Sequence, residues 1–185
     1  MGIGEVNAAF AVFLDRDGVL NRPVVREGKP YPPQSVADFE VYPEAAAAVR
    51  KLRGMGFVVC VVTNQPDVAR GAQTLAEIEA MHRRLRYEAG IEHFYICLHD
   101  DADRCDCRKP KPGLLTRAAA DLGISLAGSY MIGDRWRDVD CGRAAGCRTI
   151  FIDRGYSESL RAQPDFRAGD LGEAVDIIYQ ERHSG

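Results

Sequence analysis

Lysine is scarce in this sequence: of 24 basic residues only four, Lys29, Lys51, Lys109 and Lys111, are not arginine. Long apolar runs are missing as well. None approaches the roughly 20 residues that cross a bilayer, so no membrane contact is expected. The N-terminus has no charged, apolar and small-residue leader pattern, which points to a cytoplasmic protein. There is no basic excess either; the net charge of −3 over 185 residues gives no general field for nucleic acid. Internal repeats and low-complexity linkers are absent, so one domain spanning 1–185 is expected, long enough to bury a substantial core. Six cysteines in such a compartment do not suggest disulfides, and clustered ones suggest metal. Against this scarcity, Lys109 and Lys111 fall together in Arg108-Lys109-Pro110-Lys111-Pro112-Gly113. An ammonium is a compact point charge that a guanidinium does not replace, so the segment is marked.

What is present is an alternation of buried strands and helices. Residues 9–14 form an apolar run of the kind found in parallel sheets covered on both faces. Residues 18–36, with Gly18, Pro23, Gly28, Pro30, Pro32 and Pro33, suit a short flap, with a small hairpin around Val24, Val25 and Gly28. Pro43 opens a helix that runs to Arg53. Phe57–Val62 is a second strand, ending in Thr63-Asn64-Gln65. Thr74 with Glu77 is a capping box for a helix to about Gly90, in which His82 is expected on the solvated face. Phe94–Leu98, Ser129–Ile132 and Thr149–Ile152 are further strands, and helices are expected at 114–122, briefly after the Gly133–Asp138 segment to Gly146, and at 171–181. Five alternations predict an α/β fold: a doubly wound, Rossmann-like parallel sheet with no large cap domain.

In such sheets ligands sit beyond the carboxyl ends of the strands. Three polar clusters fall there: Asp15 and Asp17, Thr63 and Asn64, and Asp134 and Asp138. Asp15-Arg16-Asp17-Gly18 alone would equally suit a polar hairpin turn, and Asp134 or Asp138 could simply cap a helix. Together the clusters suit phosphoryl transfer. Asp15, Asp134 and the carbonyl of Asp17 offer the hard oxygens that Mg²⁺ takes, and Asp138 a water-mediated contact. Asp15 can attack phosphorus to form an aspartyl phosphate, while Asp17 serves as general acid and then base. The Thr63 hydroxyl and a lysine can neutralise the transferring group. Asn64, Gln65 and Arg135 are expected to face the substrate.

A second constellation is Cys97, His99, Cys105 and Cys107: three thiols and an imidazole within eleven residues. The donor set matches a closed tetrahedral zinc site, which would be structural and would pin a loop at 97–107 beside Arg108 and Lys109. Cys60, Cys141 and Cys147 read as buried packing residues.

The motifs FLDRDGVLN, VVTNQ, RKPKPG and MIGDRWRDVDCGRAAG, in that order over residues 13–146, resemble those of the haloacid dehalogenase superfamily. The resemblance implies Asp15 as nucleophile, Asp17 as acid/base, Thr63 as phosphoryl binder and Asp134 as metal ligand. It also implies a phosphate-binding lysine, for which Lys109 fits the family's K-P-x-P arrangement and Lys111 stands at the variable position. With the cysteine–histidine loop, the chain is similar to the branch of heptose bisphosphate and histidinol-phosphate phosphatases. That similarity implies a Mg²⁺-dependent hydrolase with structural zinc, acting on a small phosphorylated sugar in heptose metabolism for lipopolysaccharide biosynthesis. It implies Arg108 at the substrate, and a monomer is expected. Two departures, the short 99–105 stretch and Leu98 inside C-x-H, fall in the specificity loop. Other classes remain open: a histidinol-phosphate or other phosphomonoester phosphatase, a phosphoacceptor signalling domain, and a small zinc-binding interaction module.

Overall fold

A computed structural model describes residues 8–183. Residues 1–7 and 184–185, which complete the expected 1–185 domain and include the stretch read for a leader, lie outside the described residues. In chain order the strands are β1 (Ala11–Leu14), β2 (Val24–Arg26) and β3 (Lys29–Tyr31), followed by helix α1 (Ala45–Gly54) and strand β4 (Val58–Asn64). Helix α2 (Leu75–Ala89), strand β5 (His93–Cys97), helix α3 (Gly113–Leu122) and strand β6 (Tyr130–Gly133) come next. Helix α4 (Trp136–Ala145), strands β7 (Arg148–Ile152) and β8 (Phe166–Ala168), and helix α5 (Leu171–His183) complete the chain.

The main sheet has the order β5-β4-β1-β6-β7-β8, and every pairing in it is parallel. β1 lies inside the sheet, and all four of its residues are buried. Successive side chains of a strand leave opposite faces. Val12 and Leu14 therefore enter one core with residues of α1, α2 and α5, while Ala11 and Phe13 enter another with residues of α3 and α4. An unbroken apolar run is what this double cover requires. The winding starts at β1, moves outward through β4 and β5, then returns to β6 on the other side of β1. This reversal leaves a crevice at the carboxyl ends of β1, β4 and β6.

The doubly wound α/β fold is as expected, with most element ends within two residues of their expected positions. α1 starts at Ala45, with Glu44 rather than Pro43 before it. Thr74 caps α2 by accepting from the Glu77 amide at 3.2 Å. The flap is an antiparallel hairpin pairing Val24 with Tyr31, closed by Glu27 and Gly28, both at positive φ, as a two-residue hairpin turn requires.

Two expectations are corrected. The sheet has a sixth strand, β8, of three residues at its edge. His82 is buried, not solvated: its ring stacks on Phe94 at 4.5 Å between centroids. It lies beside buried Met81 and shares the inner face of α2 with Ile78, four residues before it, and Leu85, three after it, the spacing of one helical face.

Candidate active site

The amide of Asp15 donates to the Ile132 carbonyl at 2.9 Å, prolonging the β1–β6 ladder by one step. That bond fixes Asp15 at the crevice, next to Asp134 beyond the end of β6. One oxygen each from Asp15, Asp134 and Asp138 lies within 4.8 Å of the others, all three residues being buried. Glycine makes this approach possible. Gly18 has φ +90, and a Cβ there would overlap the Asp134 carboxylate; a Cβ on Gly133 would overlap Asp138.

Lys109 enters the same site from the loop after β5 and is almost wholly buried. Its ammonium donates to Asp138 Oδ1 at 2.6 Å and to the Val62 carbonyl at 2.9 Å, and lies 2.9 Å from Asp15 Oδ1. Asn64 clasps its main chain: the Lys109 amide donates to Asn64 Oδ1, and Asn64 Nδ2 donates to the Lys109 carbonyl, both at 3.0 Å. Lys111 is outside the site, with its ammonium on the Cys105 carbonyl at 2.6 Å.

Burial, then the negative charge of Asp138, push the Asp15 carboxyl up to about 6 despite the nearby lysine. Asp134 is pushed well above the usual carboxylate range by burial and by the charges of Asp15 and Asp138. Burial opposes the charge on Lys109, but Asp138 and Asp15 outweigh it and hold the ammonium protonated. Both oxygens of Asp134 are buried and neither meets a donor at full hydrogen-bond geometry, the nearby Tyr156 hydroxyl offsetting only part of the penalty. A buried carboxylate without a partner is costly, and a divalent cation taking oxygen ligands relieves it. The donors present therefore fit Mg²⁺.

Asp17 differs. Burial alone would raise it, but the Arg16 guanidinium and hydrogen bonds from Arg16, Asn21 and Gln65 hold its carboxyl below the usual range. Arg16 is fully buried and donates through Nε at 3.1 Å and NH2 at 2.9 Å; Asn21 Nδ2 and Gln65 Nε2 each donate at 2.9 Å. The Asp17 side chain is outside the three-carboxylate cluster but lines the same cavity of about 300 Å³, with Asp15, Thr63, Asn64, Arg108 and Arg135.

The structure thus brings Asp15, Asp17, Thr63, Lys109, Asp134 and Asp138 together. Gln65 stands behind them, fully buried, its amide donating to Asp17 and, at 3.0 Å, to the Thr63 hydroxyl. Asp138 serves two ends: Oδ1 pairs with Lys109, while Oδ2 accepts from the Arg135 amide at 3.0 Å as a helix cap. Arg135 reaches the cavity but its guanidinium pairs with Glu158, NH2 to Oε1 at 2.8 Å. Arg16 and Asn21 were not singled out from sequence. The signal for them is an arginine between two acids and an asparagine four residues after the second, which also reads as turn chemistry.

In the loop after β5, Cys97 Sγ lies 3.2 Å from Cys107 Sγ and 3.7 Å from Cys105 Sγ. His99 Nδ1 lies 3.6 Å from Cys97 Sγ and 3.3 Å from Cys107 Sγ. These four ligand atoms lie within 4.8 Å of one another and could hold a metal ion; three sulfurs and one nitrogen are a donor set that suits tetrahedral zinc. No helix among the described residues is long and apolar enough to cross a membrane.

A family model described as HAD-hydrolase-like matches residues 106–174. The D-glycero-beta-D-manno-heptose-1,7-bisphosphate 7-phosphatase of Pseudomonas aeruginosa is 38% identical over 158 residues, 83% of this chain and 86% of that one. The D-glycero-D-manno-heptose-1,7-bisphosphate 7-phosphatase of Thermosynechococcus vestitus is 34% identical, over 91% of this chain and 94% of that one. Among solved structures, the D,D-heptose 1,7-bisphosphate phosphatase of B. bronchiseptica, complexed with magnesium and phosphate, superposes with a TM-score of 0.77 at 26% identity. That match covers 93% of this chain and 99% of the other. The chain belongs to the haloacid dehalogenase-like phosphatases, in the family that these heptose bisphosphate phosphatases form.

Proposed function

We propose that this chain removes the 7-phosphate of D-glycero-D-manno-heptose 1,7-bisphosphate, through an aspartyl phosphate on Asp15. The observation that carries the reading is the convergence of Asp15, Lys109, Asp134 and Asp138 at one sheet edge, in a chain with relatives of that activity. Mg²⁺ held by Asp15 and Asp134 would neutralise charge on the phosphoryl oxygens.

The steps of the chain's own residues follow from the site. Lys109 and the Thr63 hydroxyl orient the phosphoryl group for in-line attack. An Asp15 oxygen forms a bond to phosphorus as the bond from phosphorus to the sugar oxygen breaks, and Asp17 gives that oxygen its proton. Asp17 then takes a proton from water, which attacks phosphorus, releases inorganic phosphate and frees Asp15. The donors around Asp17 favour its ionised form, which suits the second step. An incoming phosphate dianion raises the Asp17 pKa by like-charge repulsion, which favours the protonated form needed in the first. A zinc in the 97–107 loop would hold Arg108 at the cavity; Arg108 Nε already donates to Asp101 at 2.7 Å.

The test is kcat/KM for both anomers of the heptose bisphosphate, histidinol phosphate and simple sugar monophosphates, with wild type and Asp15→Asn. The heptose ester should lead, and Asp15→Asn should abolish phosphate release while circular dichroism and gel filtration are unchanged. A clear lead for histidinol phosphate overturns the substrate but not the reaction. Repeated turnover by Asp15→Asn overturns the reaction, and a single stoichiometric phosphorylation of wild type makes it a phosphoacceptor domain.

A further inference from the structure

The mouth of the catalytic cavity carries a feature that phosphoryl transfer does not use. Arg108 and Arg137, from different parts of the chain, converge on one carboxylate oxygen. Asp101 Oδ1 accepts from Arg108 Nε at 2.7 Å and lies 3.6 Å from Arg137 NH1. All three line the cavity that holds Asp15 and Lys109. The two arginines are fixed. Arg108 also donates to the His99 carbonyl at 3.3 Å and its side chain is 10% exposed. The Arg137 guanidinium lies 5.2 Å from the Trp136 ring centroid, and its side chain is 32% exposed. The Asp101 side chain, in contrast, is 64% exposed, in a short turn of the cysteine–histidine loop.

Two held guanidiniums sharing one loosely held carboxylate make an anion seat with an internal occupant. An exposed ion pair contributes little and is readily exchanged, whereas a phosphate offers three oxygens to two planar forks. We propose that Arg137, with Arg108, is the seat for the second, unreacting phosphate of a bisphosphate substrate, and that Asp101 occupies it until that phosphate displaces it. This rests on the sugar-bisphosphate reading above and adds to it Arg137 as a specificity-determining residue and Asp101 as its competitor.

The experiment measures kcat/KM for heptose 1,7-bisphosphate and for heptose 7-phosphate, the same ester without the second phosphate, in wild type, Arg137→Gln, Arg137→Lys and Asp101→Asn. Wild type should prefer the bisphosphate. Arg137→Gln should cut that preference at least tenfold, chiefly through KM, and Arg137→Lys should restore part of it. Asp101→Asn should raise the preference two- to fivefold by lowering KM for the bisphosphate. Equal loss on both esters in Arg137→Gln, or an unchanged or reduced preference in Asp101→Asn, overturns the seat. If wild type turns over neither heptose ester, the substrate reading fails separately. The seat is then read from competitive inhibition of whichever phosphomonoester is turned over. The bisphosphate should inhibit more tightly than the monophosphate in wild type but not in Arg137→Gln; equal inhibition in wild type overturns it.

Discussion

Replacing Asp134 by asparagine should stabilise the metal-free protein while removing its response to magnesium. Both Asp134 oxygens are buried without a donor at full hydrogen-bond geometry, beside two other carboxylates. An unsatisfied buried polar group costs about 1–3 kcal/mol, more when charged, and a neutral amide removes the charge and offers a donor to the neighbouring carboxylates. For a domain of this size each kcal/mol moves Tm by about 2–4 °C, so Asp134→Asn in chelator should melt about 2–12 °C above wild type. The sign with pH follows from the direction of the shifts. Asp134 is raised well above its ordinary value and Asp15 to about 6. Ionising them in the folded state is resisted, so their penalty is absent below about pH 4 and grows as pH rises through the folded values. The gap between variant and wild type should therefore be small near pH 4 and widest at neutrality. Adding Mg²⁺ to a hundred times its Kd should raise wild type by about 2.7 kcal/mol and leave the variant where it was, closing or reversing the gap between them. Differential scanning fluorimetry across pH, with and without Mg²⁺, reads all of this. A variant that melts below wild type in chelator, or that gains as much from Mg²⁺, would refute the reasoning.

Elemental analysis should find one zinc per chain. Stripping it with a strong chelator, or substituting Cys105→Ser, should lower Tm and expose the 97–107 loop to protease; a protein free of zinc and indifferent to the substitution contradicts the assignment. His82 is pushed down to about 3 by burial and by the Arg16 charge. A base depressed on folding gives stability that is complete above its unfolded value of about 6.5 and is lost as pH falls towards 3. Wild type should lose on the order of several kcal/mol on acidification, by chemical denaturation, while His82→Phe, which keeps the stack on Phe94, should lose distinctly less. Parallel acid curves for the two would show that His82 is not the group responsible.

The layout was legible because it depends on runs and punctuation. Continuous apolar strands, small polar residues at their ends, and glycines closing helices suffice to place Asp15, Thr63 and Asp134 at one edge. β8 was not legible, since a three-residue edge strand buries too little to leave a pattern. His82 was misplaced because Arg83, Arg84 and Arg86 follow it in sequence; its spacing from Ile78 and Leu85 was the better guide. Asp138 was read as either a helix cap or a group at the metal, and it is a cap whose other oxygen holds the lysine. Asn64 and Gln65 were placed at the edge correctly, but which polar group faces a ligand and which braces a neighbour depends on side-chain direction. Spacing along the chain does not carry that information.

The Asn64 clasp on Lys109 bears on how such an enzyme can change its diet. The loop proposed to face the substrate leaves the sheet at Cys97, opposite Asn64 in the β4–β5 pairing, and comes back at the lysine that Asn64 grips. Both feet of the loop thus stand on one strand end, whatever lies between them. Its interior can be lengthened, shortened or exchanged as a cassette without moving the ammonium that the chemistry needs, so new appetites can evolve on an inherited engine.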